Sequence, residues 1–249
     1  MHLLRTGLGA LFSIAVILPT TALAENSGWY VAVDGGQSQF NDASSQVPSW
    51  LASLPNPPGY VVGINGTSGT SNDDHHAAYR FMLGYQINPY WGVEASYVDL
   101  GTASVAGTAS GYYQPSCQKN QLCLPIVGIT SFGYKGSYRD RGPGLAFNGT
   151  YPISDQWSVF ARLGMVDARV HLDLETSPSL PPASLGPAPL GATHSSTNWS
   201  STFGLGVNYT LNDRWAVRLG WDRYADLGSR NNTGSNSVNL ASIGVVYRI

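Results

Sequence analysis

The chain has 249 residues, with 15 acidic and 13 basic side chains, a formal charge of −2 and only 11% charged residues. Soluble globular domains carry roughly 25%. This composition excludes a nucleic-acid binder, which would show a basic face, and it argues against a cytosolic enzyme; glycine, at 29 residues, is abundant instead.

Residues 1–24 read as a cleaved secretory signal peptide. Arg5 gives a positive start, Gly7 to Leu18 is an apolar run too short to span a bilayer, and Ala22-Leu23-Ala24 is a cleavage site. Export of a mature chain from Glu25 follows. The first segment behind it, Trp29-Tyr30-Val31-Ala32-Val33-Asp34, places Trp29, Val31 and Val33 on one face and Tyr30, Ala32 and Asp34 on the other. That period of 2 is the signature of a strand. Seven further segments behave alike, giving strands near 28–40, 77–87, 91–100, 138–151, 157–169, 198–210, 215–225 and 238–249. Strands of this length cross a membrane, for which about 9–11 residues suffice.

The connections alternate strictly between short and long. Asn88-Pro89-Tyr90, residues 152–156 and Leu211-Asn212-Asp213-Arg214 carry tight-turn chemistry. Residues 41–77, 101–137, 170–197 and 225–237 read as long loops rich in Ser, Gly, Pro, Asn and Thr. The expectation is an all-β fold: an eight-stranded, antiparallel, up-and-down transmembrane β-barrel over 25–249, with four long extracellular loops and both termini periplasmic. Trp29, Trp91, Trp157 and Trp215 fall beside the short turns, and Trp199 and Trp221 near the long loops, as the two interfacial girdles of such a barrel require. A soluble lipocalin-like barrel would need an apolar interior. Here the inward face carries Asp34, Arg80, Glu94, Arg162, Arg218 and Asp222. Charges at such positions must pair or stay hydrated.

Three stretches carry a resemblance: Gly84 to Glu94, Leu145 to Met165, and Ser242 to Arg248. Together with Trp29-Tyr30 they make the chain similar to the transmembrane domain of the OmpA family. The resemblance implies a charged lumen network, and Glu94, Arg162 and Arg218 stand at its positions; a further Lys and Glu of the family are replaced by Asn148 and Asn208. Family members often continue into a peptidoglycan-binding periplasmic domain. This sequence ends at Ile249 with the last strand, so that activity is not carried over. The family usually ends in Phe as an assembly signal; here Ile249 is last, with Tyr247 two before it.

The remaining candidates are weaker. Cys117 and Cys123 suit a local disulfide in an exported chain, with two free thiols or a metal pair as alternatives. Asp73-Asp74-His75-His76 has the side chains of a metal site or a protease dyad, but consecutive strand residues diverge, so a solvated loop base is expected. His194-Ser195 would need a carboxylate to make a nucleophilic set, and neither the inward Glu94 nor the loop residue Glu175 supplies one. Trp50, Tyr60, Tyr112 and Tyr113 are candidate loop contacts. No catalytic residue, metal or cofactor is expected.

The expected role is therefore non-enzymatic: a Gram-negative outer-membrane barrel of OmpA-like type, contributing to envelope structure and cell-surface interaction, with weak porin activity as an added expectation. A dedicated ion or solute channel is the first alternative, and a barrel enzyme acting on lipid A or peptides the second. Expected partners are outer-membrane lipid and lipopolysaccharide, the barrel-assembly machinery during insertion and an extracellular ligand at the loops. A monomer is expected because a closed barrel has no edge to pair.

Overall fold

The structure is a computed structural model that describes residues 27–41, 60–73, 75–115, 128–176, 191–228 and 235–249. Nine strands account for nearly all of them: β1 (Gly28–Phe40), β2 (Tyr60–Asp73), β3 (His75–Gln86), β4 (Trp91–Pro115), β5 (Gly128–Pro152), β6 (Trp157–Thr176), β7 (Gly191–Thr210), β8 (Trp215–Leu227) and β9 (Asn236–Arg248). Eight of them close a ring of antiparallel neighbours, β1-β3-β4-β5-β6-β7-β8-β9, with β9 returning to β1 from Tyr30↔Arg248 to Phe40↔Val238. β2 stands outside this ring and pairs with the far half of β4, from Tyr60↔Pro115 to Asp73↔Ser104. No helix occurs among the described residues.

Three short turns hold one end. The Asn88 Oδ1 accepts hydrogen bonds from the Tyr90 and Trp91 amides, both at 2.9 Å. Asn212 repeats the motif toward Arg214 and Trp215, and the Ser154 Oγ accepts from Trp157 N–H at 3.1 Å. Side-chain oxygens thus satisfy the amides that the strands leave unpaired as they reverse. At this end Trp29, Trp157 and Trp215 each lie opposite a tyrosine in the register, with ring centroids 5.1, 4.7 and 4.8 Å apart from Tyr85, Tyr209 and Tyr247. Trp91 stacks on Phe147 at 5.1 Å. Toward the other end Phe203 and Trp221 make a second aromatic level, and Trp199 is exposed beside them.

Between these levels the outward face is apolar: Val31, Val33, Phe81, Leu83, Val93, Leu145, Phe147, Leu163, Met165, Leu205, Leu219, Ile243 and Val245 are all exposed. Beyond the second level the polarity inverts without a break in the strands. On β6, Ala161, Leu163 and Met165 face out and Arg162 faces in; from Val166 onward Val166, Ala168, Val170, Leu172 and Leu174 face in, while Asp167, Arg169, His171, Asp173 and Glu175 face out. A strand that leaves lipid for water must exchange the faces on which its apolar side chains lie.

This inversion corrects the expected lengths of the long connections. Residues 101–115, 128–137, 170–176 and 191–197 continue as strand, and residues 60–73 form the separate β2. β4 and β5 reach 25 residues each. They pass a bulge between Asp99 and Thr102, where Gly101 takes a left-handed φ of 83° that L side chains avoid. The signal segment, Trp50, Cys117 and Cys123 lie outside the described residues.

Candidate functional site: the lumen

Where the outward face is apolar, the lumen is charged. Arg218 on β8 donates to Glu94 on β4 at 2.9 Å. Glu94 is also paired with Arg162 on β6 at 2.8 Å, and Arg162 with Asp222 on β8 at 3.0 Å. Asp222 meets Arg80 on β3 at 2.8 Å, and Arg80 meets Asp34 on β1 at 2.6 Å. Three guanidiniums and three carboxylates therefore form one alternating chain across the lumen, every member at most 5% exposed. Neutral donors and acceptors complete it. The Tyr30 hydroxyl donates to Glu94 at 2.6 Å, Arg218 Nε donates to the Asn208 carbonyl oxygen at 2.9 Å, and Arg80 donates to the Tyr224 oxygen at 3.2 Å. Phe160 lies beneath both Arg218 and Arg162, whose guanidinium carbons sit 4.8 and 5.3 Å from its centroid.

Glycines make this chain fit. Asp34 and Arg218 are both registered against Gly244, Asp222 and Arg162 against Gly204, Tyr30 and Glu94 against Gly84. A Cβ at Gly244 would collide with the Asp34 carboxylate, at Gly204 with Asp222, and at Gly84 with the Tyr30 ring. An eight-stranded lumen is only wide enough to be filled by side chains. Alternating large polar residues with glycine is how six ions fill this one. The cavity bordered by Arg80, Glu94, Arg162, Thr202 and Tyr224 measures about 10 Å³, the space of one water molecule.

The expected lumen residues Asp34, Arg80, Glu94, Arg162 and Arg218 are thus brought into one chain, with Asp222 as the link between its halves. Tyr30, Asn208 and Tyr224 are members that charge patterning alone does not pick out, although alternation with Asp34 places Tyr30 on the inner face. The expected girdle residues Trp29, Trp91, Trp157, Trp215, Trp199 and Trp221 are all outward and exposed.

Beyond the belt the interior changes character. Phe40, Val98, Leu100, Val105, Tyr138, Val170, Leu172, Leu227, Val238 and Leu240 form a buried apolar cluster. The Asp140 carboxylate sits at this level. It is fully buried, and neither of its oxygens has a hydrogen-bond partner. Loss of solvent, reinforced by the nearby Asp99 carboxylate, holds its carboxyl well above the usual range. Nothing in the sequence pattern separates Asp140 from the exposed Arg139 and the half-buried Arg141 except its parity along the strand.

Of the catalytic alternatives, Asp74 lies outside the described residues. His75 is exposed and His76 half-buried on the opposite face of β3, and among the described residues no three His, Cys, Asp or Glu side chains gather to hold a metal. His194 lies opposite Leu172 and Ser195 opposite His171, on alternate faces of β7, while Glu175 lies opposite Gly191.

The family model for the OmpA-like transmembrane domain matches residues 24–249. Outer membrane protein A of Serratia marcescens is 26% identical over 232 residues, covering 91% of this chain and 51% of the relative. Outer membrane protein A of Shigella flexneri is 26% identical over 230 residues, with 91% and 50% covered. The chain thus spans about half the length of these relatives. Among solved structures, Neisserial surface protein A aligns over 90% of this chain and all of its own, at 11% identity and a TM-score of 0.43.

Proposed function

The chain belongs to the OmpA-like transmembrane domain family of outer-membrane β-barrels, and from that premise we propose that it is a non-enzymatic scaffold whose lumen is a structural plug. The observation that carries this reading is the alternating chain of six ions spanning the lumen. An ion path would have to break this chain, and above it the path would have to cross the apolar cluster. In this reading the short-turn end faces the periplasm. The long strands β4, β5, β6 and β7 then raise a wall above the outer leaflet that presents the remaining loops. Envelope integrity and surface contact are the tasks this architecture serves.

The test is conductance in planar lipid bilayers with the refolded chain. The plug reading expects a folded, silent barrel across the physiological voltage range. Discrete openings that change on Glu94→Ala or Arg218→Ala would replace it with a channel reading.

A further inference from the structure

Asp140 is a buried acid that the ion plug does not use. It lies on β5 between the register pairs Asp99↔Arg141 and Thr102↔Arg139, so on the β4 side it meets the bulge at Leu100 and Gly101; on the β6 side its partner is Val170. Val98, Leu100, Tyr138, Val170 and Leu172 are buried in the same cluster, and neither carboxyl oxygen of Asp140 has a hydrogen-bond partner. Such a site tolerates a neutral carboxyl far better than a carboxylate. Above the ion chain, the inward titratable groups among the described side chains are His76 on β3, Tyr134 and Tyr138 on β5, His194 on β7 and Tyr224 on β8; β1, β4, β6 and β9 supply none there. Asp99 is on the outward side of β4, where it holds Arg139 at 2.6 Å. Arg141, Arg169 and His171 also face outward.

The wall beside Asp140 is thinly bonded. The β3–β4 ladder stops at Tyr79↔Asp99, although β3 begins at His75, and β4 pairs again only at Ser104, with Asp73 of β2. Residues 100–103 of β4 therefore have no ladder partner on the β3 side among the described residues. The buried Ser38 hydroxyl on β1 bridges this gap, sharing its proton between the Leu100 carbonyl oxygen at 2.5 Å and that of His76 at 3.3 Å. Gly101 passes so close to β3 that a Cβ there would meet the Ala77 carbonyl oxygen and the His76 Cβ at 2.8 Å. The strands touch at this point without ladder hydrogen bonds, and a local opening here breaks few of them.

We propose that the proton on Asp140 is a latch for the outer half of the barrel. While the proton is held, the apolar filling closes around a neutral carboxyl. When it leaves, the carboxylate draws water through the seam between β3 and β4 at Gly101, and the outer half opens while the ion chain below stays shut. Asp99, on the outer side of the same wall, adds to the effect because like charges there repel. In the orientation given above, the wall that carries the long loops thereby responds to external pH. The latch goes beyond the plug reading, since it acts on the apolar filling and not on the six ions.

The experiment is hydrogen exchange of the full chain folded in lipid vesicles, followed by mass spectrometry from pH 5 to pH 9 and corrected for the intrinsic pH dependence of amide exchange. An unfolded carboxyl titrates near about pH 4. An opening that releases one proton therefore lowers protection about tenfold per pH unit above that point, until the closed state itself ionises. This slope is expected in peptides covering residues 75–79, 98–103 and 138–141, and not in the belt peptide 158–164. Asp140→Asn should flatten it, and Asp140→Leu, which also removes the acid, is the second variant should the first not fold. Ser38→Ala should lower protection of 98–103 at every pH and keep the slope. A parent without the slope, or a slope that survives in the Asp140 variants, would overturn the latch. Unchanged protection of 98–103 in Ser38→Ala would overturn the seam as the place of opening. The plug reading fails separately, through a belt peptide that exchanges freely at every pH.

Discussion

The two halves of this barrel solve opposite solvation problems with the same strands. In the belt, lipid outside demands an apolar exterior, and the narrow interior is left for charge. Above it, water outside takes the charge, and the interior closes on apolar side chains. The lower half is filled by three arginines and three carboxylates where the upper half is filled by leucine and valine. The two differ in how they fail: a polar plug is intolerant of a lost partner, because an unmatched buried ion costs far more than an absent pair, whereas an apolar plug loses stability in proportion to the volume removed.

Four substitutions sharpen that contrast. Glu94→Ala leaves Arg162 and Arg218 facing one another without their shared carboxylate and should destabilise by about 3–5 kcal/mol, as breaking a buried pair does; urea unfolding in lipid vesicles measures it, and an unchanged midpoint would dissolve the network. Leu172→Ala in the upper half should cost about 2–4 kcal/mol through the cavity it opens. The two effects should add, since they act on different fillings. Gly204→Ala drives a methyl group into the Asp222 carboxylate and should cost about 1–3 kcal/mol, the usual penalty of overpacking; the same change at Gly35, where a Cβ meets nothing within 4 Å, should be close to neutral.

The smallest effect is the most diagnostic. Among the described residues Asp140 is the upper half's one buried carboxylate without a hydrogen-bond partner, and its carboxyl is held well above the usual range. The folded chain then keeps a proton that the unfolded chain releases near pH 4, so this residue subtracts stability progressively as pH rises through that window. Asp140→Asn should remove that slope. The variant should match the parent at pH 3 and exceed it at pH 8. A parent and variant that lose stability in parallel would place Asp140 in contact with solvent.

Much of the lower half was legible in the chain. Alternation placed Asp34, Arg80, Glu94, Arg162 and Arg218 inward, and turn residues such as Asn88 and Asn212 placed the short ends. Pairing was not legible: parity says that Glu94 and Arg162 share a lumen, but only the register sets Glu94 between Arg162 and Arg218. The upper half was missed for a different reason. Val166 to Glu175 alternates without a fault, yet its apolar residues have moved to the other face, so a search for lipid-facing positions reads it as the end of the strand. The inversion was available in the sequence. It needed the recognition that a strand can change solvent without changing structure. Asp140 fell inside the expected strand 138–151, but as one acid between two arginines it carried no mark of burial beyond its parity.

One continuous β6 thus has lipid outside and charge inside below Met165, and water outside and an apolar filling inside above it. Site-directed spin labels placed singly from Trp157 to Glu175, in a background with Cys117 and Cys123 replaced by serine, test it most directly in bilayers. The expected result is oxygen accessibility at odd positions up to 165, accessibility to a water-soluble nickel complex at odd positions from 167, and neither at the even positions throughout. Nickel accessibility at the even positions flanking Arg162 would reveal a wet, open lumen, and loss of the two-residue period beyond 166 would return that segment to a loop; either would contradict the structure described.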